Sequence, residues 1–266
     1  MTANQTATDS DQPPRTALDA AGDGTAYRRA FAAATPYQHL VIDNFFDVTN
    51  ARQLSADIPE FESPLWFQYN NAVESKRVLN HWDRFPAATY SLLAHLNSAT
   101  FIRRVECATG HTGLIADSGL HGGGWHMHAR GGKLNVHLDY ALHPKLRLER
   151  RLNLIVYLTE GWRPEWGGGL GLWTHDETAN APATLAATID CLFNRAVLFD
   201  TTGHAWHGLP DPIGCPENTF RRSLAVYYLS EARPDVPPRL RAQFAPTKEQ
   251  ADDPDVLALI ARRARP

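Results

Sequence analysis

The chain has 266 residues with 26 basic and 29 acidic side chains, a formal net charge of −3, and 43% hydrophobic residues. That length suits one large domain with a sizeable core. No apolar run is long enough to cross a bilayer, and no Lys/Arg block serves nucleic-acid binding. Cys107, Cys191 and Cys215 lie far apart without a CxxC pair, which excludes a disulfide scaffold or a Cys-rich zinc module and fits a reducing, cytoplasmic setting.

Residues 1–24 lack a basic start and an apolar centre, so they read as a mobile polar arm rather than an export signal, leaving 25–266 as a single domain. A short amphipathic helix is expected near Tyr27–Ala34 and a strand over Leu40–Phe46. Asp47 opens a second helix that Pro59 ends, and Pro86–Asn97 has helical spacing, so the front third reads as mostly α. Trp66, Phe67, Tyr69, His81 and Trp82 form an aromatic patch between these helices, suited to packing or to a substrate-recognising lid.

From Gly110 to about Ser230 short apolar runs alternate with Gly, Pro and Asn turns. The expected strands are Lys133–Tyr140, Leu152–Leu158, Leu170–Trp173, Ala196–Asp200 and Ser223–Leu229. Strands so spaced, without helices between them, suggest an antiparallel sandwich or barrel. Helical composition returns over Val256–Arg263. The fold class is therefore α+β, a β core flanked by helices.

The chemistry sits among the twelve histidines. His137 and Asp139 are two apart in a strand pattern, so both face one side. An imidazole and a carboxylate placed in this way are two of the three ligands of a facial metal triad, whose open positions admit substrate and dioxygen. The third ligand must return from a distant strand, and His204 and His207 are the two candidates. Farther on, Arg221 and Ser223 share a strand face while Arg222 points away. A buried guanidinium beside a hydroxyl suits the bidentate capture of a carboxylate. His126 and His128 also share a face, in a glycine-rich stretch that reads as a turn or the mouth of the site. Gly167-Gly-Gly lacks the Lys-Ser/Thr of a phosphate loop, and Arg147–Arg151 reads as a solvated charge run.

Several runs, taken in order, carry a resemblance. They are Gly131-Gly-Lys-Leu-Asn-Val-His-Leu-Asp-Tyr, Arg150-Arg-Leu-Asn-Leu-Ile-Val-Tyr-Leu-Thr, Trp166-Gly-Gly-Gly-Leu-Gly-Leu-Trp, Phe193-Asn-Arg-Ala-Val-Leu-Phe, and His207-Gly-Leu-Pro-Asp-Pro followed by Arg221-Arg-Ser-Leu-Ala-Val-Tyr-Tyr. Together they resemble the bacterial branch of the prolyl-4-hydroxylase-like, non-haem Fe(II)- and 2-oxoglutarate-dependent dioxygenases. The resemblance spans about residues 110–232 and implies a double-stranded β-helix, or jelly roll, between N-terminal helices and a short C-terminal helix.

Carried over by position, the resemblance implies His137, Asp139 and His207 as iron ligands, with His204 a neighbour. It implies Arg221 and Ser223 as the anchor of the far carboxylate of 2-oxoglutarate. Tyr157 either reaches the same carboxylate or is a core tyrosine with a satisfied hydroxyl. The implied reaction oxidises a C–H bond of a small molecule, amino acid or peptide with dioxygen, releasing succinate and CO2. Hydroxylation is the default outcome, with desaturation or cyclisation available to the same chemistry. Ascorbate is an expected reductant. The Asp139 carboxylate disfavours a halogenase, and the acidic balance disfavours nucleic-acid substrates. The rival readings are a cupin-like iron oxygenase that does without 2-oxoglutarate and a non-catalytic metal-binding protein of the same fold.

Overall fold

A computed structural model describes residues 15–265. In chain order the elements are α1 (Thr25–Ala33), β1 (His39–Ile42), α2 (Val48–Asp57), β2 (Phe67–Asn70), β3 (Glu74–Leu79), α3 (Ala87–Leu96) and α4 (Ala99–Thr109). The β-rich part follows with β4 (Ile115–Ala116), β5 (Gly124–His128), β6 (Lys133–Leu134), β7 (His137–Leu138), β8 (Glu149–Tyr157), β9 (Leu170–Asp176), β10 (Ala181–Ile189), β11 (Ala196–Asp200), β12 (Trp206–Gly208) and β13 (Arg221–Ser230). β14 (Gln243–Phe244) and α5 (Pro254–Ala264) close the chain.

The strands form two antiparallel sheets. The major one runs β1-β11-β8-β13-β5-β3-β2, with β4 added to β13 and β6 to β3; the minor one runs β10-β9-β12-β7-β14. Period-2 alternation decides what each layer touches. Leu152, Leu154 and Val156 of β8 and Leu224, Val226 and Tyr228 of β13 join one core with Leu92 and Leu96 of α3 and Phe101 and Val105 of α4. The intervening residues face the other way. Tyr157, with Val197 and Phe199 of β11, packs on Leu170 and Leu172 of β9. Both faces of the central strands are thus covered, which is why they read as nearly unbroken apolar runs. Each such side chain contributes about 1.5–3 kcal/mol by leaving water. This is the jelly roll the sequence implies, with helices against one face of the major sheet and the minor sheet against the other.

Local signals hold at the helix starts. The Asp47 carboxylate accepts from the Thr49 amide at 2.9 Å, capping α2. Asp253 caps α5 in the same way, ahead of Pro254. Among the described residues no helix is long and apolar enough to cross a membrane.

Four features differ from expectation. In the front third helices predominate as expected, but β2 and β3 add an unexpected hairpin that extends the major sheet through pairing of β3 with β5. The Phe67/Tyr69 alternation of β2 spans only four residues, and Glu74-Ser-Lys-Arg opens β3 with no apolar alternation to detect. Phe67 and Tyr69 of the aromatic patch stand on its edge strand. Second, Lys133–Tyr140 is not one strand: β6 belongs to the major sheet and β7 to the minor, so the chain changes sheets inside the run. Third, the expected mobile arm is packed where it is described. Thr16 bridges to Phe46, Leu18 is buried, and Asp19 Oδ2 lies 2.9 Å from His95 Nε2; residues 1–14 of that arm lie outside the described residues. Fourth, Arg147–Arg151 is not wholly solvated, since Glu149 and Arg150 are buried.

Candidate active site

His137 on β7 and His207 on β12 are direct cross-strand partners in the minor sheet. Their ring centroids lie 4.3 Å apart, and Asp139 follows just beyond β7. The carboxylate oxygens face both rings, with Oδ1 3.7 Å from His137 Nε2 and Oδ2 3.8 Å from His207 Nε2. In sequence His207 is remote from the His137 and Asp139 pair, and pairing of β7 with β12 brings it there, all three buried.

Backbone contacts set the tautomers. His137 Nδ1 lies 3.0 Å from the Asn135 carbonyl and His207 Nδ1 2.9 Å from the Ala205 carbonyl. A carbonyl only accepts, so each Nδ1 carries the hydrogen and each Nε2 turns a lone pair toward Asp139. Burial, then His207, pushes His137 down to about 3, and burial also lowers His207, so both rings are neutral at physiological pH. Burial alone would raise Asp139, but Arg150 and the two imidazoles outweigh it and bring the carboxyl down to about 2. Asp139 Oδ2 is buried, makes no hydrogen bond of full geometry, and has the Arg150 guanidinium 3.2 Å away. Two inward lone pairs and a buried anionic carboxylate, all ligand atoms within 4.8 Å of one another, fit a divalent transition metal.

Neighbouring segments hold this cluster. Phe244 of β14 pairs with His137 and stacks on its ring at 5.2 Å. Arg239 Nε donates to the Asp139 carbonyl at 2.7 Å. A Cβ at Gly208 would stand 2.9 Å from the carbonyl oxygens of Leu134 and Asn135, so only glycine lets the strand bearing His207 pass this close.

The site opens into a cavity of about 410 Å³ whose walls also carry Arg221, Ser223, His126 and His128. In register, Arg221 lies opposite His128, and Ser223 lies between His126 and Tyr157. Arg221 is 5% exposed, and its Nε donates to the Gly168 carbonyl at 2.6 Å. Among the described residues it has no carboxylate partner. A buried guanidinium left so is costly, and an anionic ligand at this end of the cavity would balance it. Gly168 has φ +76°, and a Cβ there would stand 2.9 Å from Arg221 Cδ, so glycine also admits the arginine. Tyr157 presents its ring to the Arg221 guanidinium at 4.8 Å, while its buried hydroxyl has no hydrogen bond. Burial, partly opposed by Arg221, moves that phenol up to about 12. A core tyrosine with a satisfied hydroxyl is therefore not what the structure contains.

Sequence reasoning missed Arg150. It is 2% exposed, and its Nη1 lies 3.2 Å from Asp139 Oδ2. Its guanidinium lies 3.4 Å from the ring centroids of both Tyr140 and Tyr227. Burial opposes its charge, but Tyr140, Asp139 and Tyr227 push its pKa up. In sequence it is one of three arginines in five residues, and regular alternation would group it with Leu152, Leu154 and Val156 on the opposite face; the register shift between β8 and β13 at Arg151 turns it toward Asp139.

His204 stands apart. Its side chain is 44% exposed, and its ring stacks on His175 at 3.4 Å beside Glu177. These three also approach metal-binding spacing. However, the Trp206 indole donates to His175 Nδ1 at 3.0 Å, so the His175 Nε2 facing Glu177 carries the hydrogen and offers no lone pair. His204→Ala is expected to leave metal affinity within about twofold of wild type, the background for a surface change; equilibrium titration of the metal checks it.

His128 carries a pH consequence. Neither ring nitrogen has a hydrogen-bond partner, and burial, Arg221 and Lys76 hold its pKa well below the ordinary value. The folded chain therefore keeps it neutral where the unfolded chain binds a proton. Its contribution to stability is complete above an unfolded pKa of about 6.5 and is lost as pH falls below that. The Tm of the metal-free protein should drop between about pH 7 and pH 5, and drop less in His128→Gln.

Residues 123–231 match the family model of the 2OG-Fe(II) oxygenase superfamily. Among solved structures, a prolyl-4-hydroxylase from Pseudomonas putida superposes with a TM-score of 0.55 at 17% identity, covering 79% of this chain and 100% of that one. A prolyl hydroxylase from Trichoplax adhaerens, in complex with a hypoxia inducible factor oxygen degradation domain peptide fragment, gives 0.54 at 14% identity, covering 80% and 93%. The alpha ketoglutarate dependent carbocyclase SnoK from nogalamycin biosynthesis gives 0.54 at 13%, covering 90% and 92%. No curated protein sequence matches this chain.

Proposed function

We propose, on the premise that residues 123–231 are a domain of the 2OG-Fe(II) oxygenase superfamily, that this chain is an Fe(II)- and 2-oxoglutarate-dependent dioxygenase that hydroxylates a C–H bond of a small molecule, amino acid or peptide. One observation carries the reading. A buried His-Asp-His cluster and a buried guanidinium with no carboxylate partner share the walls of one cavity. A cupin-like metal enzyme without an oxo-acid would leave Arg221 without a purpose.

His137, Asp139 and His207 would hold the metal, two neutral donors and one anion. Bound iron supplies dioxygen activation, coupled to decarboxylation of 2-oxoglutarate to succinate and CO2. Arg221 receives the far carboxylate of the co-substrate through its guanidinium fork, and the Ser223 and Tyr157 hydroxyls add hydrogen bonds. Ile155, Leu170 and Leu209 line the same cavity and exclude water from the carbon chain of the oxo-acid. Arg150 balances Asp139 from outside the ligand cluster and leaves the Nε2 atoms free to bind.

An anaerobic titration tests the reading. Metal-free protein receives Fe(II) and then 2-oxoglutarate while the visible metal-to-ligand charge-transfer band is followed. A band saturating at one equivalent of each supports it. Tight iron binding without a band sinks it.

A further inference from the structure

The cavity has an uneven charge. Lys76, Arg150, Arg221, Arg241 and Arg263 line it, against only Glu74 and Asp139. Arg150 is committed to Asp139, and Arg221 is reserved for 2-oxoglutarate under the function proposed above, on which this inference rests. Lys76, Arg241 and Arg263 then remain, opposed by Glu74 alone.

Lys76 and Arg263 are held in place. Glu74 is 2% exposed, with Lys76 Nζ 3.2 Å from its Oε2 and Arg263 Nη1 in close contact with its Oε1. Lys76 sits 5.3 Å from the ring centroid of Tyr69, and the Arg263 guanidinium lies 4.9 Å from that of Phe244. Val78 of β3 lies opposite His126, so Lys76, two residues back, shares the face that carries His126 and His128. Arg241, just before β14, is exposed at the rim and makes no ion pair among the described residues. The nearby histidines add no charge, because burial moves His126 down to about 3 and His121 down to about 4.

We propose that the substrate carries an anionic group, a carboxylate or a phosphate, which Lys76, Arg241 and Arg263 bind at the mouth of the cavity. One carboxylate among three cations leaves an excess of two positive charges, and a cleft lined by one sign of charge concentrates ligands of the other. An anion here completes charge-assisted hydrogen bonds that Glu74 alone leaves unmade. A neutral or cationic substrate would cover Lys76 and strip its water without a replacement. Leu134, Leu240 and Ala242 give the cavity wall beside the charges an apolar stretch, so the ligand is an organic acid with an apolar body.

Calorimetry with matched probes tests this. N-acetylphenylalanine is compared with its carboxamide and phenyl phosphate with phenol, on the metal-free protein and on protein loaded anaerobically with iron and 2-oxoglutarate. At least one acid should bind roughly tenfold or more tighter than its neutral mate, with added salt reducing the difference. The pair that shows the difference identifies carboxylate or phosphate as the preferred anion. Arg241→Gln, a rim change that leaves the core untouched, and Lys76→Met should each weaken the acid several-fold. Equal binding within both pairs, no binding of either acid, or unchanged affinity in both variants overturns the proposal. Failure of 2-oxoglutarate to bind the iron-loaded wild type would instead sink the oxygenase reading, because the probe comparison on metal-free protein does not depend on it.

Discussion

Asp139→Ala should lose tight Fe(II) binding and destabilise the metal-free protein as well. The first effect follows from removing the only anion among the ligands, and it should exceed the roughly 10–100-fold that loss of a supporting group costs. The second follows from Arg150, whose guanidinium is buried and whose carboxylate partner, 3.2 Å away, is Asp139. Stranding a buried charge costs about 3–5 kcal/mol. His137→Ala and His207→Ala should abolish iron binding without that penalty, since neither ring is bonded to Arg150. Iron titration and urea unfolding on the three variants separate the two effects. Adding Arg150→Met to Asp139→Ala should recover most of the lost stability and none of the iron affinity. Should the metal-free Asp139→Ala protein unfold with the wild type, the ion pair does not carry the weight given to it here.

Arg221→Ala should leave iron binding in place and weaken 2-oxoglutarate by about 2–5 kcal/mol, a factor of roughly 30 to several thousand. The whole guanidinium is enclosed, its Nε is already occupied by Gly168, and no other charge on β13 turns into the cavity. Arg221→Lys should recover only part of the loss, because an ammonium cannot present the same two parallel donors. The charge-transfer band, read against 2-oxoglutarate concentration at fixed iron, measures the shift. If the variant's half-saturation point coincides with that of the wild type, Arg221 does not hold the co-substrate.

Much of this was legible in the chain. The HxD spacing put His137 and Asp139 side by side, and the alternation of β13 put Arg221 with Ser223 and turned Arg222 away, because strand geometry converts spacing into facing. Helix starts at Asp47 and after Pro86 were legible for the same reason, being set by contacts within one turn. The hairpin of β2 and β3 was not, because the Phe67/Tyr69 alternation of β2 spans only four residues and Glu74-Ser-Lys-Arg opens β3 with no apolar period. Nor was β10, whose run of Ala and Thr is largely exposed.

Sequence by itself determined an α+β chain with an antiparallel β core, which its resemblance to the dioxygenases sharpened to a jelly roll, the shared face of His137 and Asp139, and the strand face shared by Arg221 and Ser223. Tertiary structure alone decided three further matters. It placed His207 rather than His204 against His137, since cross-strand pairing selects one residue from a run that spacing leaves ambiguous. It made Arg150 a buried partner of Asp139, where its sequence neighbours suggested a solvated run. It also assembled Lys76, Arg241 and Arg263 from three distant segments around one mouth. Periodicity reports which way a side chain points within its own element; which side chain it meets depends on how separate elements pack, and no local pattern in the chain encodes that.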